Sequence, residues 1–87
     1  MASFELQIDK QFYKDLKRID KKQASRVYQA VIKLQNNPDP AAAKQLKGTS
    51  LRRLRVGDYR VLYEIEKKKV VIRVLRALHR KEAYRKL

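Results

Sequence analysis

The chain has 87 residues, 44% of them hydrophobic, enough for one domain with a modest core and too apolar for a disordered polyelectrolyte. With no cysteine and one histidine, it has no disulfide, no thiolate zinc site and no ligand set for a conventional metal cluster. The formal net charge of +14 calls for a polyanionic partner: nucleic acid, an anionic membrane or an acidic protein. A basic surface kept only for solubility is the plainer alternative.

In chain order, Phe4, Leu6 and Ile8 alternate with polar neighbours, the period of a half-buried strand. Asp9 is placed to cap a first helix running to about Arg18 and burying Phe12, Leu16 and Ile19. Asp20 with Gln23 reads as a capping box opening a second helix. That helix carries Ala24, Val27, Tyr28, Val31 and Leu34 at helical spacing and ends at Asn36-Asn37-Pro38. Residues 38–50 form a connector without a period, where Ala41–Ala43 suit a helical turn, Leu46 an anchor and Gly48 a bend.

From Leu51 the pattern becomes β: strands over Leu51–Val56 and Tyr59–Glu66 flank a two-residue Gly57-Asp58 turn. A third strand over Lys69–Leu78 follows a turn at Lys67-Lys68, and His79–Leu87 forms a short polar tail or helix. The expected order is β-α-α-β-β-β over a single domain, residues 1–87. This is an α+β fold, with an antiparallel-rich sheet carrying the N-terminal helical hairpin on one face. No secretory segment or long apolar run is visible, so the expected location is the cytoplasm, with no membrane partner.

Charge is unevenly spread. Residues 1–49 hold ten Lys/Arg against five Asp/Glu, and residues 50–87 hold 13 against four, mostly arginine, the better fork for phosphate. The Gly57-Asp58 turn sets Arg55 opposite Arg60, Leu54 opposite Val61 and Arg53 opposite Leu62. Alternation then gives Arg53, Arg55 and Arg60 one face, and Leu54, Val56, Tyr59, Val61, Tyr63 and Ile65 the other. Continuing through a Lys67-Lys68 turn sets Tyr63 opposite Ile72 and Leu62 opposite Arg73. Val70, Ile72 and Val74 then join the apolar face and Arg73 the arginine face. Like charges opposed across a sheet cost roughly 0.2–1 kcal/mol a pair, so Arg55 against Arg60 marks a functional surface rather than a structural gain. The alternative is that each arginine extends to solvent or meets an acid such as Glu64. A basic sheet face with nearby aromatics, and no basic recognition helix, suits single-stranded RNA better than duplex DNA.

Three segments together carry a family resemblance: Leu46-Lys47-Gly48, Arg53-Leu54-Arg55-Val56-Gly57-Asp58-Tyr59-Arg60-Val61-Leu62-Tyr63, and His79-Arg80-Lys81-Glu82-Ala83-Tyr84. The chain resembles the RelE/ParE toxin superfamily along its whole length, and its RelE-type branch in particular. The resemblance implies a toxin of a type II toxin–antitoxin pair that enters the ribosomal A site and cleaves mRNA. The implied cut needs no metal or cofactor: the 2′-hydroxyl attacks the adjacent phosphate. It also implies a cognate acidic antitoxin that wraps the toxin.

Carried onto this sequence, Arg53 and Arg55 match the family's basic positions on the first hairpin strand and Arg60 its phosphate-binding arginine, and the three are expected to hold the phosphate. Arg80 matches the arginine at the leaving oxygen, and Tyr84 the C-terminal tyrosine that orients the RNA. Lys47, Arg52, Arg73, Arg76 and Lys81 are expected to add RNA contacts. Some members carry lysine where this chain has Arg53, with Leu51 two residues earlier. Arginine is a poor base, so His79 or a neighbour is expected to take the proton. The alternatives are a ParE-like inhibitor of DNA gyrase on the same fold, and an RNA- or ribosome-binding module without catalysis.

Overall fold

The computed structural model describes residues 3–86, with the backbone alone from Tyr84 onward. The elements are β1 (Glu5–Ile8), α1 (Lys10–Lys17), α2 (Lys21–Lys33), β2 (Ala43–Gln45), β3 (Leu51–Val56), β4 (Tyr59–Glu66), β5 (Val71–His79) and α3 (Arg80–Lys86). They build a five-stranded sheet in the order β1-β5-β4-β3-β2, parallel only where β1 meets β5. The α+β class and the helical hairpin on one face hold. Among the described residues, no helix is long and apolar enough to cross a membrane.

Asp9 caps α1, its side chain accepting the Gln11 N–H at 2.8 Å. The capping box expected at Asp20 does not form. Asp20 precedes α2 without a side-chain cap bond, and its carbonyl accepts the Ala24 N–H. Phe12, Val27, Val31 and Leu34 bury completely or nearly so against Leu54, Val61, Tyr63, Ile72 and Val74 of the sheet. Leu16 and Ile19 pack at the margin, and Tyr28 stays exposed. The Tyr63 hydroxyl donates to the Pro38 carbonyl at 2.9 Å, and burial pushes its pKa up to about 12.

Two stretches depart from expectation. Ala41–Ala43 make no helical turn; Ala43–Gln45 instead form edge strand β2, joined to β3 through a turn where Gly48 has φ +78°. The turn after β4 spans four residues, Lys67–Val70, with Glu66 opposite Val71. Val70 therefore lies in the turn, not on the apolar face of a strand. Its φ of 57° is a strained value for a β-branched residue.

The longer turn moves the pairing by two residues. Tyr63 meets Val74 rather than Ile72, and Glu64 rather than Leu62 meets Arg73. A two-residue shift preserves faces, so Ile72 and Val74 stay in the core and Arg73 stays on the opposite side. An irregularity opposite Leu62/Tyr63 then inserts Leu75 unpaired, and beyond it Leu62 faces Arg76 and Tyr59 faces His79.

β5 outruns β1: the pairing of β1 ends at Ile8 opposite Val74, and α1 continues along the exposed edge. There Asp15, only 6% exposed, accepts the Ala77 N–H at 2.9 Å and holds the Arg76 guanidinium in two contacts of 2.8 and 3.1 Å. Burial pushes the Asp15 carboxyl pKa up, but hydrogen bonds from Arg76, Ala77 and Gln11 outweigh it and the net shift is downward. Replacing Asp15 by Ala strands a guanidinium and a strand N–H, so urea unfolding is expected to show a loss of about 3 kcal/mol. A folded pKa below the unfolded carboxylate value of about 3.9 gives stability that is full above that value and lost as pH falls through the folded one. Thermal melts of wild type should weaken on acidification below about pH 4. Asp15→Asn should flatten that dependence.

Candidate nucleic-acid interface

The β3–β4 hairpin has the expected register, with Arg55 opposite Arg60, Leu54 opposite Val61 and Arg53 opposite Leu62. Leu54 and Val61 lie in the helix-side core, so Arg53, Arg55 and Arg60 occupy the other face. That face has a small apolar floor of its own. Leu62, Leu78 and Ala83 are buried together with Leu46 against them, and this contact seats α3 on the arginine side of the sheet.

Arg53, Arg55 and Arg60 line one cleft of about 260 Å³ together with Lys44, Ala41 and Ala42. Lys44 pairs in register with Arg53 across β2–β3, so two like-charge rungs, Lys44–Arg53 and Arg55–Arg60, lie side by side. Arg60 folds onto the turn, donating to the Gly57 and Tyr59 carbonyls at 2.9 Å each. The Arg80 backbone N–H donates to the Asp58 carbonyl at 2.7 Å, bringing the start of α3 to the same turn. Among the described residues, Lys44, Arg55 and Arg60 make no ion pair. The described residues also bring no three His, Asp or Glu side chains together as metal ligands. A cationic cleft walled by strand backbone, with small alanines on one side, can receive a phosphate and its flanking ribose.

The other expected positions are dispersed. Arg52 faces the helix side opposite Tyr63, is 17% exposed, and ion-pairs with Asp39 at 2.7 Å. Arg76 is held at the β5 edge by Asp15. Arg73 shares the arginine face but lies opposite Glu64, roughly 13 Å along β4 from Arg60. It is bound to Glu66 at 2.7 Å, a hydrogen bond that keeps the Glu66 carboxyl below its usual range. Glu64, the acid weighed as a partner for the arginines, accepts the Ser50 hydroxyl at 2.6 Å. Lys47 sits exposed in the turn after β2, and Lys81 exposed on α3.

His79 is turned away from the cleft. It lies opposite Tyr59 on the helix side, with ring centroids 5.6 Å apart and planes at 87°. Its Nδ1 accepts the Lys81 N–H at 3.3 Å, which assigns the proton of the neutral ring to Nε2. Tyr84 falls on α3, and its side chain is outside the described residues. Lys44 is the cleft residue that sequence reasoning missed. A three-residue edge strand shows no period, and only pairing across the Gly48 turn would have placed it beside Arg53.

Arg55→Ala is expected to reduce the salt slope (log K against log salt) for single-stranded polynucleotide by about 0.7, one phosphate contact. The same change should raise stability by a few tenths of a kcal/mol, to about 1 kcal/mol at most, by relieving the Arg55–Arg60 rung. Arg52→Ala should leave the slope unchanged. Fluorescence anisotropy over a salt series, with melts on the same samples, measures both.

A family model described as the ParE toxin of the type II toxin–antitoxin system parDE matches residues 6–84. Among curated protein sequences, none matches the chain. Solved structures do. The toxin of the archaeal RelE–RelB complex from Pyrococcus horikoshii OT3 is 32% identical with a TM-score of 0.80, the match covering 90% of this chain and 96% of that one. The RelB–RelE antitoxin–toxin complex from Methanococcus jannaschii gives 30% identity and a TM-score of 0.74 over 92% and 96% of the two chains. The RelBE2 complex of Mycobacterium tuberculosis, at 21% identity and a TM-score of 0.80 over 90% and 99%, shares the fold.

Proposed function

The chain belongs to the ParE toxin family of type II toxin–antitoxin systems, within the RelE/ParE superfamily, and on that premise we propose that it acts as a RelE-type toxin that cleaves messenger RNA on the ribosome. One observation carries this reading: Arg53, Arg55, Arg60 and Lys44 gather in a single cleft on the sheet face opposite the helical hairpin. A surface that only had to bind an acidic protein would not require two adjacent like-charge rungs facing one small concavity.

In the proposed reaction, the RNA 2′-hydroxyl attacks the adjacent phosphorus. Negative charge grows on the non-bridging oxygens as the pentacoordinate state forms. Arg55 and Arg60 supply donors to those oxygens, and Arg60 is held in place by its two turn carbonyls. Arg53 extends the same cradle along β3. Arg80, whose backbone N–H bonds to the Asp58 carbonyl at the same turn, would in this reading steady the leaving 5′-oxygen. The proposed substrate is single-stranded mRNA in the ribosomal A site, in the cytoplasm. The antitoxin partner is an acidic chain that covers this face when the toxin is silent.

The ParE description of the matching family model favours gyrase inhibition as the second reading. The two separate in one experiment, in which mRNA ends are mapped in a cell-free translation reaction and gyrase–DNA adducts are assayed in parallel. Cleavage within translated codons, reduced by 10²-fold or more in Arg60→Ala, is expected. Intact mRNA alongside accumulated gyrase–DNA adducts would replace this reading with the second one.

A further inference from the structure

We propose that Lys44 is the proton acceptor of the RNA cleavage reaction, an assignment that rests on the reading above. The cleft needs a group that takes the 2′-hydroxyl proton, and among the described residues its lining is Ala41, Ala42, Lys44, Arg53, Arg55 and Arg60. Guanidinium groups stay protonated above pH 12 and the alanines carry no titratable atom, so three arginines and two alanines are excluded. His79 faces Tyr59 on the other side of the sheet, and Glu64 is engaged with Ser50 and lies off the cleft lining. Lysine, as a residue type, gives up its proton far more readily than arginine and serves as a base once neutral.

The fold places Lys44 for this role. Its neighbour Ala43 points into the helix-side core, so strand alternation sends Lys44 to the arginine face. Its register partner is Arg53, which fixes it one strand spacing, about 4.8 Å, from the arginine row. The small side chains of Ala41 and Ala42 leave room beside it for a ribose. A lysine set against an arginine on an edge strand is a local electrostatic cost with no packing gain, since Lys44 is exposed.

The step balances as follows. The neutral Lys44 amine takes the proton from O2′ as the O2′–P bond forms. The P–O5′ bond breaks, its electron pair stays on O5′, and O5′ takes a proton from water. The hydroxide so formed takes the extra proton back from Lys44. The products are a 2′,3′-cyclic phosphate and a 5′-hydroxyl end.

The test compares wild type, Lys44→Arg and Lys44→Ala on ribosomes programmed with mRNA, with polynucleotide affinity and melting temperature measured on each protein. Lys44→Arg should bind and melt as wild type does and cleave about 10²-fold or more slowly. Ethylamine added to Lys44→Ala should restore cleavage in proportion to the free amine, and should not restore it in Arg60→Ala. A Lys44→Arg protein that cleaves within about threefold of wild type, or no response of Lys44→Ala to amine, overturns the assignment of Lys44 and leaves RNA cleavage standing. Wild type that yields no RNA ends overturns both.

Discussion

The direction of the three arginines in the cleft is set by the two-residue turn at Gly57-Asp58. Gly57 takes φ 58°, a value glycine reaches without the steric penalty of a Cβ, and the turn it makes pairs Val56 with Tyr59. From that rung outward, alternation leaves no freedom: Leu54, Val61 and Tyr63 enter the helix-side core, and Arg53, Arg55 and Arg60 must face the other way. A slip of one residue would send three arginines into a core that seats Phe12, Val27 and Val31. Burial of the apolar face therefore enforces the convergence of charge, and the repulsion between Arg55 and Arg60 is small against the loss of that core.

This part of the molecule was legible in the sequence because a tight turn and a period of two are both local signals. The other side of β4 was not. The turn to β5 is four residues long and contains a valine at positive φ, a position that nothing in the string Lys67-Lys68-Lys69-Val70 announces. Its effect on register is even, so the faces of Arg73, Ile72 and Val74 could still be read. The unpaired Leu75 is odd in its effect. Without it, His79 would lie an even number of steps from Arg73 and share the arginine face. With it, His79 is turned to Tyr59 and the helix side. One bulged residue thus removes the most obvious base from the cleft. Bulges leave little trace in composition or spacing, because they are settled by the fit between whole strands.

Edge strand β2 was hidden for a different reason. Three residues cannot display a period, and Ala41-Ala42-Ala43 carries helix propensity that pairing with β3 overrides. The strand exists because Leu46–Ser50 close a turn on themselves. Thr49 donates to the Leu46 carbonyl through both its N–H and its hydroxyl, and that hydroxyl accepts the Leu51 N–H. These bonds are between neighbours, but threonine and serine make them in many loops, so they identify a turn only once the strands on either side are known.

Four carboxylates are engaged off the cleft lining. Asp15 holds Arg76, Asp39 holds Arg52, Glu66 holds Arg73, and Glu64 holds the Ser50 hydroxyl. Each of those arginines lies off the face or at its far end, where it serves structure. The cations at the hairpin end, Lys44, Arg55 and Arg60, form no ion pair among the described residues, in a chain of net charge +14. Such a face gains free energy from any anion that reaches it, whether phosphate or carboxylate. A toxin and the antitoxin of its pair thus meet a shared physical requirement. In the proposed reading, the positive potential that would draw an RNA phosphate into the cleft is also the potential that an acidic antitoxin segment would neutralise, so binding strength and silencing would draw on the same few side chains.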